Sequence, residues 1–434
     1  MRWEQVIKYG SLSDIGFRRQ NNEDAAIVQL CADPEIWQQH GHVLLVADGM
    51  GGHAAGELAS KLAADTLPQT FFKSRDKDVQ SALKEAIEVT NKTINDRGTQ
   101  NKDFQRMGTT CASLVLGPDG ATIGHVGDSR VYRVRGDRID QLTFDHSLQW
   151  ELLRENKVSR EEILLREPRH VITRSLGPEP VVKVDIEGPF EVLPDDVFVL
   201  CTDGLTGHLN DAEIGTIARE LPPEEACRLM VNLANLRGGS DNITVVVARV
   251  GDVPDEVLMG DEQQQRVMEQ KRGWLWLAGF WAIAVLFVLG VVLLLFRHQS
   301  EGIASIAASA VVLSIMMFVF FRRLRTPSIS ISSAETVLWS PYATASARLT
   351  KKFLGHLAAV EAELQRTASA ESWVIDWSRH ENVYTQAKTA YAARDFPLSF
   401  THYARAVDTL MVGLHECRKQ MHREAKWGKS KNGE

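Results

Sequence analysis

The sequence lacks the cysteine pattern of a disulfide-stapled or zinc-binding protein. Its 434 residues include only five cysteines, which are scattered along the chain and form no C-x-x-C pair. An odd set of isolated thiols argues against a disulfide framework and is typical of a reducing compartment. The first residues, MRWEQVIKYG, also lack the apolar stretch of a cleavable secretory signal.

The sequence also lacks an excess of positive charge. It has 49 Lys and Arg against 56 Asp and Glu, a net charge of -7. Nucleic-acid binding usually draws on a basic surface, so no nucleic-acid partner is expected. Charged residues make up 24% and hydrophobic residues 44%, as in an ordinary globular protein. The length suits about two or three domains.

What the sequence does contain is two long uncharged apolar runs, at 274–296 and 302–321. Each has about the 20 residues that cross a bilayer core, so we predict two transmembrane helices rather than a pair of buried core helices. Basic residues flank the pair at 271–272 and 322–325, whereas the turn between carries a single arginine. The positive-inside rule therefore predicts a multi-pass protein of the inner membrane with both termini in the cytoplasm.

The two runs separate regions of different composition. Residues 1–252 alternate β-branched stretches with amphipathic ones, which indicates a mixed α/β sandwich, and 253–273 form a polar linker. Residues 334–425 repeat apolar positions at helical spacing, which predicts a cytoplasmic helical domain with a protein partner. The segment AYAARDFPLSFTHYARA within it has features of one degraded tetratricopeptide unit; a small bundle without repeat ancestry is the alternative.

Acidic residues stand at the ends of the apolar stretches in the first region. Asp48 follows VLLV, Asp128 follows TIGHVG and Asp203 follows VFVLCT, while Asp241 precedes ITVVVARV. Any single Asp-Gly step is most simply a turn. Several carboxylates at one sheet edge, however, need a compensating cation, and hard oxygen ligands suit Mg²⁺ or Mn²⁺.

These motifs, taken in order, resemble those of the bacterial form of the metal-dependent protein phosphatases of type 2C. The resemblance covers residues 11–250 and rests on SDIGFRRQNNEDA, LLVADGMGGHAAGELAS, MGTTCASLVL, IGHVGDSRVYRV, LTFDHSL, VITRSLG, FVLCTDGLTGHL and SDNITVVVARV. It implies an α+β fold, a four-layer α-β-β-α sandwich of two antiparallel sheets. It also implies hydrolysis of phosphoserine and phosphothreonine in the protein substrates of a Ser/Thr kinase.

The resemblance also implies a binuclear Mn²⁺ or Mg²⁺ centre that activates water, with a third, weaker ion. By position, Asp48 would bridge the two ions and Gly49 would offer its carbonyl to one of them. The other ligands implied are Asp203 and Asp241 directly, Glu23 and Asp24 through water, and Asp128 for the third ion.

The resemblance assigns the substrate phosphate to Arg19, whose planar fork can hold two phosphate oxygens. Its neighbour Arg18 is expected to point to the other face of an extended strand and to form a surface ion pair. The general acid stays open. Animal members place a histidine where this chain has Met50, so His53 is the nearest candidate, with a helix-capping histidine or a metal-bound water as alternatives.

Three functions are compatible with the sequence. The first is a membrane-anchored phosphoprotein phosphatase. The second is a catalytically silent module that binds phosphoproteins or docks at the membrane, and the third makes the C-terminal helices a docking platform. Loss of catalysis would show as a missing metal ligand, and Asp48, Asp203 and Asp241 are all present. This favours the enzyme.

Overall fold

The computed structural model describes residues 7–52, 54–74, 77–154, 171–251 and 340–431, together with positions 293, 295 and 303; the side chains of the last helix are described to residue 420. The predicted linker, almost all of the predicted membrane helices 274–296 and 302–321, and His53 lie outside this part of the chain. Within it, no helix combines the length and apolarity needed to span a bilayer.

The described part of the chain contains both strands and helices. The strands are β1 (Ile7–Asp14), β2 (Asp24–Gln29), β3 (His42–Met50), β4 (Gly108–Thr109), β5 (Cys111–Gly117), β6 (Gly120–Val126), β7 (Arg130–Arg135), β8 (Arg138–Gln141), β9 (Asp185–Phe190), β10 (Val197–Cys201), β11 (Ile243–Val250) and β12 (Ala343–Ser346). The helices are α1 (Pro34–His40), α2 (Ala54–Phe71), α3 (Val79–Gln100), α4 (Leu148–Arg154), α5 (Asp203–Thr206), α6 (Asp211–Glu220), α7 (Pro223–Leu236), α8 (Lys351–Ala370), α9 (Trp377–Ala392) and α10 (Phe396–Lys431).

The strands form two antiparallel sheets. One has the order β1-β11-β10-β7-β8-β12, and the other has the order β2-β3-β5-β6-β9, with β4 paired to the end of β3. The central strands are apolar on both faces. Along β3, Val43 and Leu45 belong to one buried cluster and Leu44 and Val46 to another. Because successive side chains of a strand point to opposite faces, each sheet is covered on both sides.

The clusters show how the layers stack. Leu44 and Val46 lie in the same cluster as Phe198 and Leu200 of β10, which is the interface between the two sheets. The outer face of the β3 sheet carries α2 and α3, and the outer face of the β10 sheet carries α6 and α7. Several helices begin at a side-chain cap; Asn210 and Glu213, for example, form a capping box at the start of α6. The order of layers is therefore helix, sheet, sheet, helix.

The C-terminal helices belong to the same compact unit as the sandwich. Residues Met1–Asp252 and Thr336–Glu434 cluster together, and Val253–Glu335 form a second unit. Strand β12 pairs with β8 at the edge of the first sheet. Leu354, Leu357 and Leu410 of α8 and α10 are buried in the cluster that also holds the apolar residues of α6 and α7.

The sequence predictions and the structure agree in the central elements. The predicted strands at 43–47, 112–116, 121–126, 197–201 and 243–250 each lie inside an observed strand, and the C-terminal region is helical over α8, α9 and α10. Two features depart from expectation. Strand β12 lies within the predicted helical domain, and that domain shares a core with the sandwich. Helical periodicity shows that one face is buried, but it does not identify what covers that face.

Candidate active site

Asp48 lies near the end of β3, opposite Asp24 at the start of β2. The backbone of Asp48 is fixed by two threonines in the segment that leads into β5. Its N–H donates to Thr110 Oγ1 at 2.8 Å, and its carbonyl accepts from Thr109 Oγ1 and the Thr110 N–H, each at 2.9 Å. The sheet thus holds the two carboxylates side by side on a rigid frame.

The other sheet contributes Asp203, the first residue of α5, and Asp241, which precedes β11. A direct hydrogen bond links the two sheets at this point, because Thr202 Oγ1 donates to Asp24 Oδ2 at 2.9 Å. The strand ends that carry the acidic motifs therefore meet at one edge of the sandwich.

Burial and mutual repulsion shift the pKa values of these carboxylates. The pKa of Asp48 is raised well above its usual value, first by burial and then by the charges of Asp24, Asp203, Asp128 and Asp241. Burial is also the first cause that raises the pKa of Asp24 to about 7 and that of Asp128 to about 8; the charge of Asp203 adds to both. Each carboxylate therefore makes its neighbours harder to ionise.

This cluster fits a divalent cation by its chemistry. Asp24 Oδ1 and Asp128 Oδ1 are buried and have no hydrogen-bond partner in the part of the chain that the structure describes. Their oxygens are hard donors of the kind that Mg²⁺ and Mn²⁺ take. Among the residues that the structure describes, no group of three or more His, Cys, Asp or Glu side chains is arranged so that it could already hold a metal ion.

The loop of Asp128 is held from behind by two buried histidines. His146 Nδ1 accepts from the Gly127 N–H at 3.0 Å, and its Nε2 lies 2.9 Å from Asp185 Oδ2. His125 Nε2 lies 2.9 Å from the Ser129 carbonyl. Burial lowers the pKa of both rings, so they are neutral at pH 7. These contacts give both rings a structural role in supporting the loop.

Glu23 and Gly49 come together through the backbone. The Gly49 N–H donates to the Glu23 carbonyl at 3.1 Å. Gly56 of α2 packs so closely that an added Cβ would overlap the Glu23 carboxylate and lie 2.9 Å from the Gly49 carbonyl oxygen. Glycine at positions 49 and 56 thus allows the end of β3 and the start of α2 to approach Glu23 closely.

Asn242 is a site residue whose role the sequence did not reveal. Its Oδ1 accepts from the Glu23 N–H at 2.8 Å, and its Nδ2 donates to the carbonyls of Ile15 and Asn21 at 2.9 and 3.0 Å. It therefore ties the segment before β2 to the start of β11. Its position in the SDN motif was visible, but its partners lie more than 200 residues away in the chain.

Arg19 lies at this same edge and is half exposed. Its Nη2 donates to Asp241 Oδ2 at 2.7 Å, and this hydrogen bond is the main reason that its pKa is raised. The structure thus brings the predicted phosphate-binding arginine to a predicted metal ligand. Arg18 has no ion pair among the described residues. The pKa of His208, whose Nε2 lies 3.0 Å from Ser240 Oγ, is lowered first by burial and then by the charges of Arg237 and Arg18. The expected surface ion pair of Arg18 is therefore not found with any described residue.

The chain is similar to known phosphatases over its first part. A family model described as Protein phosphatase 2C matches residues 20–235. The serine/threonine phosphatase stp of Listeria innocua is 34% identical over 241 residues, which are 54% of this chain and 92% of the relative. The structure of the serine/threonine phosphatase PstP/Ppp of Mycobacterium tuberculosis has a TM-score of 0.50 and 31% identity, covering 57% of this chain and all (100%) of that one. A structure of the PstP catalytic domain with 2 manganese ions has 32% identity and a TM-score of 0.48, covering 57% of this chain and 99% of that one.

Proposed function

Because the chain belongs to the protein phosphatase 2C family, we propose that it hydrolyses phosphoserine and phosphothreonine in proteins. The observation that carries this proposal is the meeting of acidic strand ends from both sheets: Asp24 lies opposite Asp48 and accepts a hydrogen bond from Thr202, the residue before Asp203. Asp48, Asp203 and Asp241, with the carbonyl of Gly49, would hold two Mn²⁺ or Mg²⁺ ions; Glu23 and Asp24 would hold their waters, and Asp128 a third ion. Bound there, the metals would supply an activated water and neutralise charge on the phosphoryl group.

The protein's own groups position the substrate. Arg19 is exposed enough to meet a phosphate at the surface and lies beside the carboxylate edge. A guanidinium fork can hold two phosphoryl oxygens and offset charge that develops during transfer. His53 stays the candidate general acid.

The experiment is phosphate release by the full-length chain in detergent. A phosphothreonine peptide with Mn²⁺ should be turned over, the same reaction with a chelator should be silent, and a phosphotyrosine peptide serves as the specificity control. A folded chain that binds Mn²⁺ and releases no phosphate from phosphothreonine would favour the phosphoprotein-binding alternative.

We expect Mn²⁺ binding to release protons and to tighten as pH rises. Without metal, Asp24 and Asp128 have pKa values of about 7 and about 8, so at pH 6 both hold protons that the ion must displace. The dissociation constant should fall at least about 10-fold between pH 6 and 8.5 and then level off. Calorimetry in buffers of different ionisation enthalpy counts the protons. The Asp128→Asn variant should release fewer protons when it binds Mn²⁺. Binding that does not depend on pH would contradict the expectation.

We further propose that residues 274–296 and 302–321 form a membrane hairpin that keeps the enzyme at the inner face of the membrane. The chain leaves one compact unit after Asp252 and re-enters it at Thr336. Because one folded unit lies on one side of a bilayer, the segment between must cross an even number of times. Two apolar runs of spanning length meet that requirement, and tethering raises the effective concentration of phosphoproteins at the membrane.

The hairpin is tested by extraction and labelling. The chain should stay with membranes in alkaline carbonate, and a cysteine introduced by Gln299→Cys in the turn should react with an impermeant thiol reagent from outside the inner membrane. A cysteine introduced by Ser430→Cys near the C-terminus should react only after the membrane is opened. Release of the chain by carbonate, or labelling of both cysteines from the same side, would contradict the topology.

A further inference from the structure

The far end of helix α10 touches the loop that carries Arg19. Arg418 Nη2 donates to the Phe17 carbonyl at 2.9 Å, and its guanidinium carbon lies 3.8 Å from the centre of the Phe17 ring. His415, one turn earlier on the helix, meets the same ring edge-to-face at 5.7 Å between centroids. Phe17 is therefore held both by its backbone and by its ring.

Phe17 also belongs to the backbone that places Arg19. The N–H groups of Phe17 and Arg18 both donate to the carbonyl of Gly239, at 2.8 and 3.1 Å. Gly239 lies two residues before Asp241, the partner of Arg19. The arginine loop, the segment between β1 and β2 that carries Arg19, thus lies between the turn at Gly239 on one side and α10 on the other. Arg418 and His415 are two α10 side chains that touch this loop.

Helix α10 is firmly anchored to the sandwich at its other end. Arg405 makes two hydrogen bonds of 2.9 Å to Glu225 of α7, and Asp408 accepts from Asn232 and Arg228 of the same helix, each at 3.2 Å. Thirteen residues separate Arg405 from Arg418, a rise of about 20 Å along a helix. A helix fixed over its first half therefore carries Arg418 to a defined place.

We propose that α10 is a positioning element for the phosphate-binding loop, and that Arg418, supported by His415, acts on the reaction through Phe17 and Arg19. This rests on the proposed role of Arg19. A metal that recruits Asp241 would take away the partner that now holds Arg19, and the loop's placement would then depend on its backbone contacts and on Phe17. The C-terminal region would accordingly be part of the phosphate-binding machinery as well as a structural appendage.

The test compares Arg418→Ala with Lys419→Ala in the full-length chain. Lys419 is exposed and, among the described residues, its ion pair is with Glu416 of the same helix, so it controls for loss of a basic residue at this place. Arg418→Ala should lower kcat/KM for a phosphothreonine peptide about 10-fold, within the 10²-fold that a 1 Å misplacement can cost, and should raise the inhibition constant of inorganic phosphate. Arg418→Lys should recover part of the loss, and Lys419→Ala should stay within about two-fold of wild type.

A double-mutant cycle separates positioning from general damage. In an Arg19→Ala background, Arg418→Ala should cause no further loss in kcat/KM, since the two act as one unit. An equal loss in both backgrounds, or no effect of Arg418→Ala in either, would overturn the proposal.

Hydrogen exchange gives a readout that does not depend on activity. The amides of Phe17 and Arg18 should exchange faster in Arg418→Ala than in wild type or Lys419→Ala, because their hydrogen bonds to Gly239 lose support from α10. Unchanged exchange would overturn the proposal even if the chain proved to have no phosphatase activity. A wild-type chain without activity but with this exchange pattern would instead contradict only the proposed function.

Discussion

Asp48→Asn is expected to abolish phosphate release while making the metal-free protein more stable. Asparagine keeps the shape of the side chain but removes the charge proposed to bridge two ions, and two-metal assistance contributes several kcal/mol to such reactions. We therefore expect turnover of a phosphothreonine peptide to fall at least about 10³-fold. The measurement is phosphate release by full-length chains in Mn²⁺.

The gain in stability follows from the sign of the pKa shift. The pKa of Asp48 in the folded chain lies well above its usual value, so ionising it at neutral pH costs folding free energy. The contribution of such a group to folding stability is fully present below its unfolded pKa, and it is lost as the pH rises through its folded pKa. In chelator, Asp48→Asn should therefore unfold at a higher temperature than wild type at pH 7.5. The difference should shrink as the pH falls toward about 4.

Asp196→Asn is the matched control, because this aspartate is also buried but its carboxylate is paired with Arg135. It is buried and accepts two hydrogen bonds of 2.7 Å from Arg135. Removing one partner of such a pair costs on the order of 2–3 kcal/mol, discounted here because Arg135 is partly exposed. Activity should persist and stability should fall, the reverse of Asp48→Asn. Two results would contradict the assignment of Asp48. One is wild-type turnover in Asp48→Asn, and the other is a metal-free Asp48→Asn protein that is less stable than the metal-free wild type.

Residues 1–252 alone are expected to be much less stable than the unit that includes the C-terminal helices. Truncation would uncover the apolar residues of α6 and α7 that share a core with Leu357, Phe400 and Leu410, and it would expose the edge of β8 that pairs with β12. Covering one large apolar side chain stabilises by about 1.5–3 kcal/mol. The free energy of unfolding should therefore drop by at least about 3 kcal/mol, and the exposed strand edge should promote aggregation.

The comparison is a chain in which residues 253–335 are replaced by a Gly/Ser linker of about 20 residues, which has a mean span of about 25 Å. It should remain folded and monomeric. Urea unfolding and size-exclusion chromatography of the two chains measure the difference. Leu410→Ala in the linker chain tests the same interface at one residue and should cost about 2–5 kcal/mol. A residue 1–252 fragment as stable as the linker chain would show that the C-terminal helices are dispensable for folding.

The sequence by itself determined the parts that depend on local pattern. Apolar runs gave the central strands, and the acidic motifs gave a set of residues of which Asp24, Asp48, Asp128, Asp203 and Asp241 do converge in space. The motifs were sufficient to identify these residues, because each motif comprises a strand end and the turn that follows it. These two parts form one local unit, so the position of the acidic residue is set locally. The metal and catalytic roles of these residues stay predictions until the experiments above are done.

Only the tertiary structure decided how distant segments meet. The pairing of β12 with β8 joins residues about 200 positions apart, and ATAS is too short and too weakly patterned to predict an edge strand. Asn242 and Arg418 each reach the arginine loop from a remote part of the chain. Side-chain periodicity specifies which face of an element is buried, but the partner of that face depends on the fold of the whole chain.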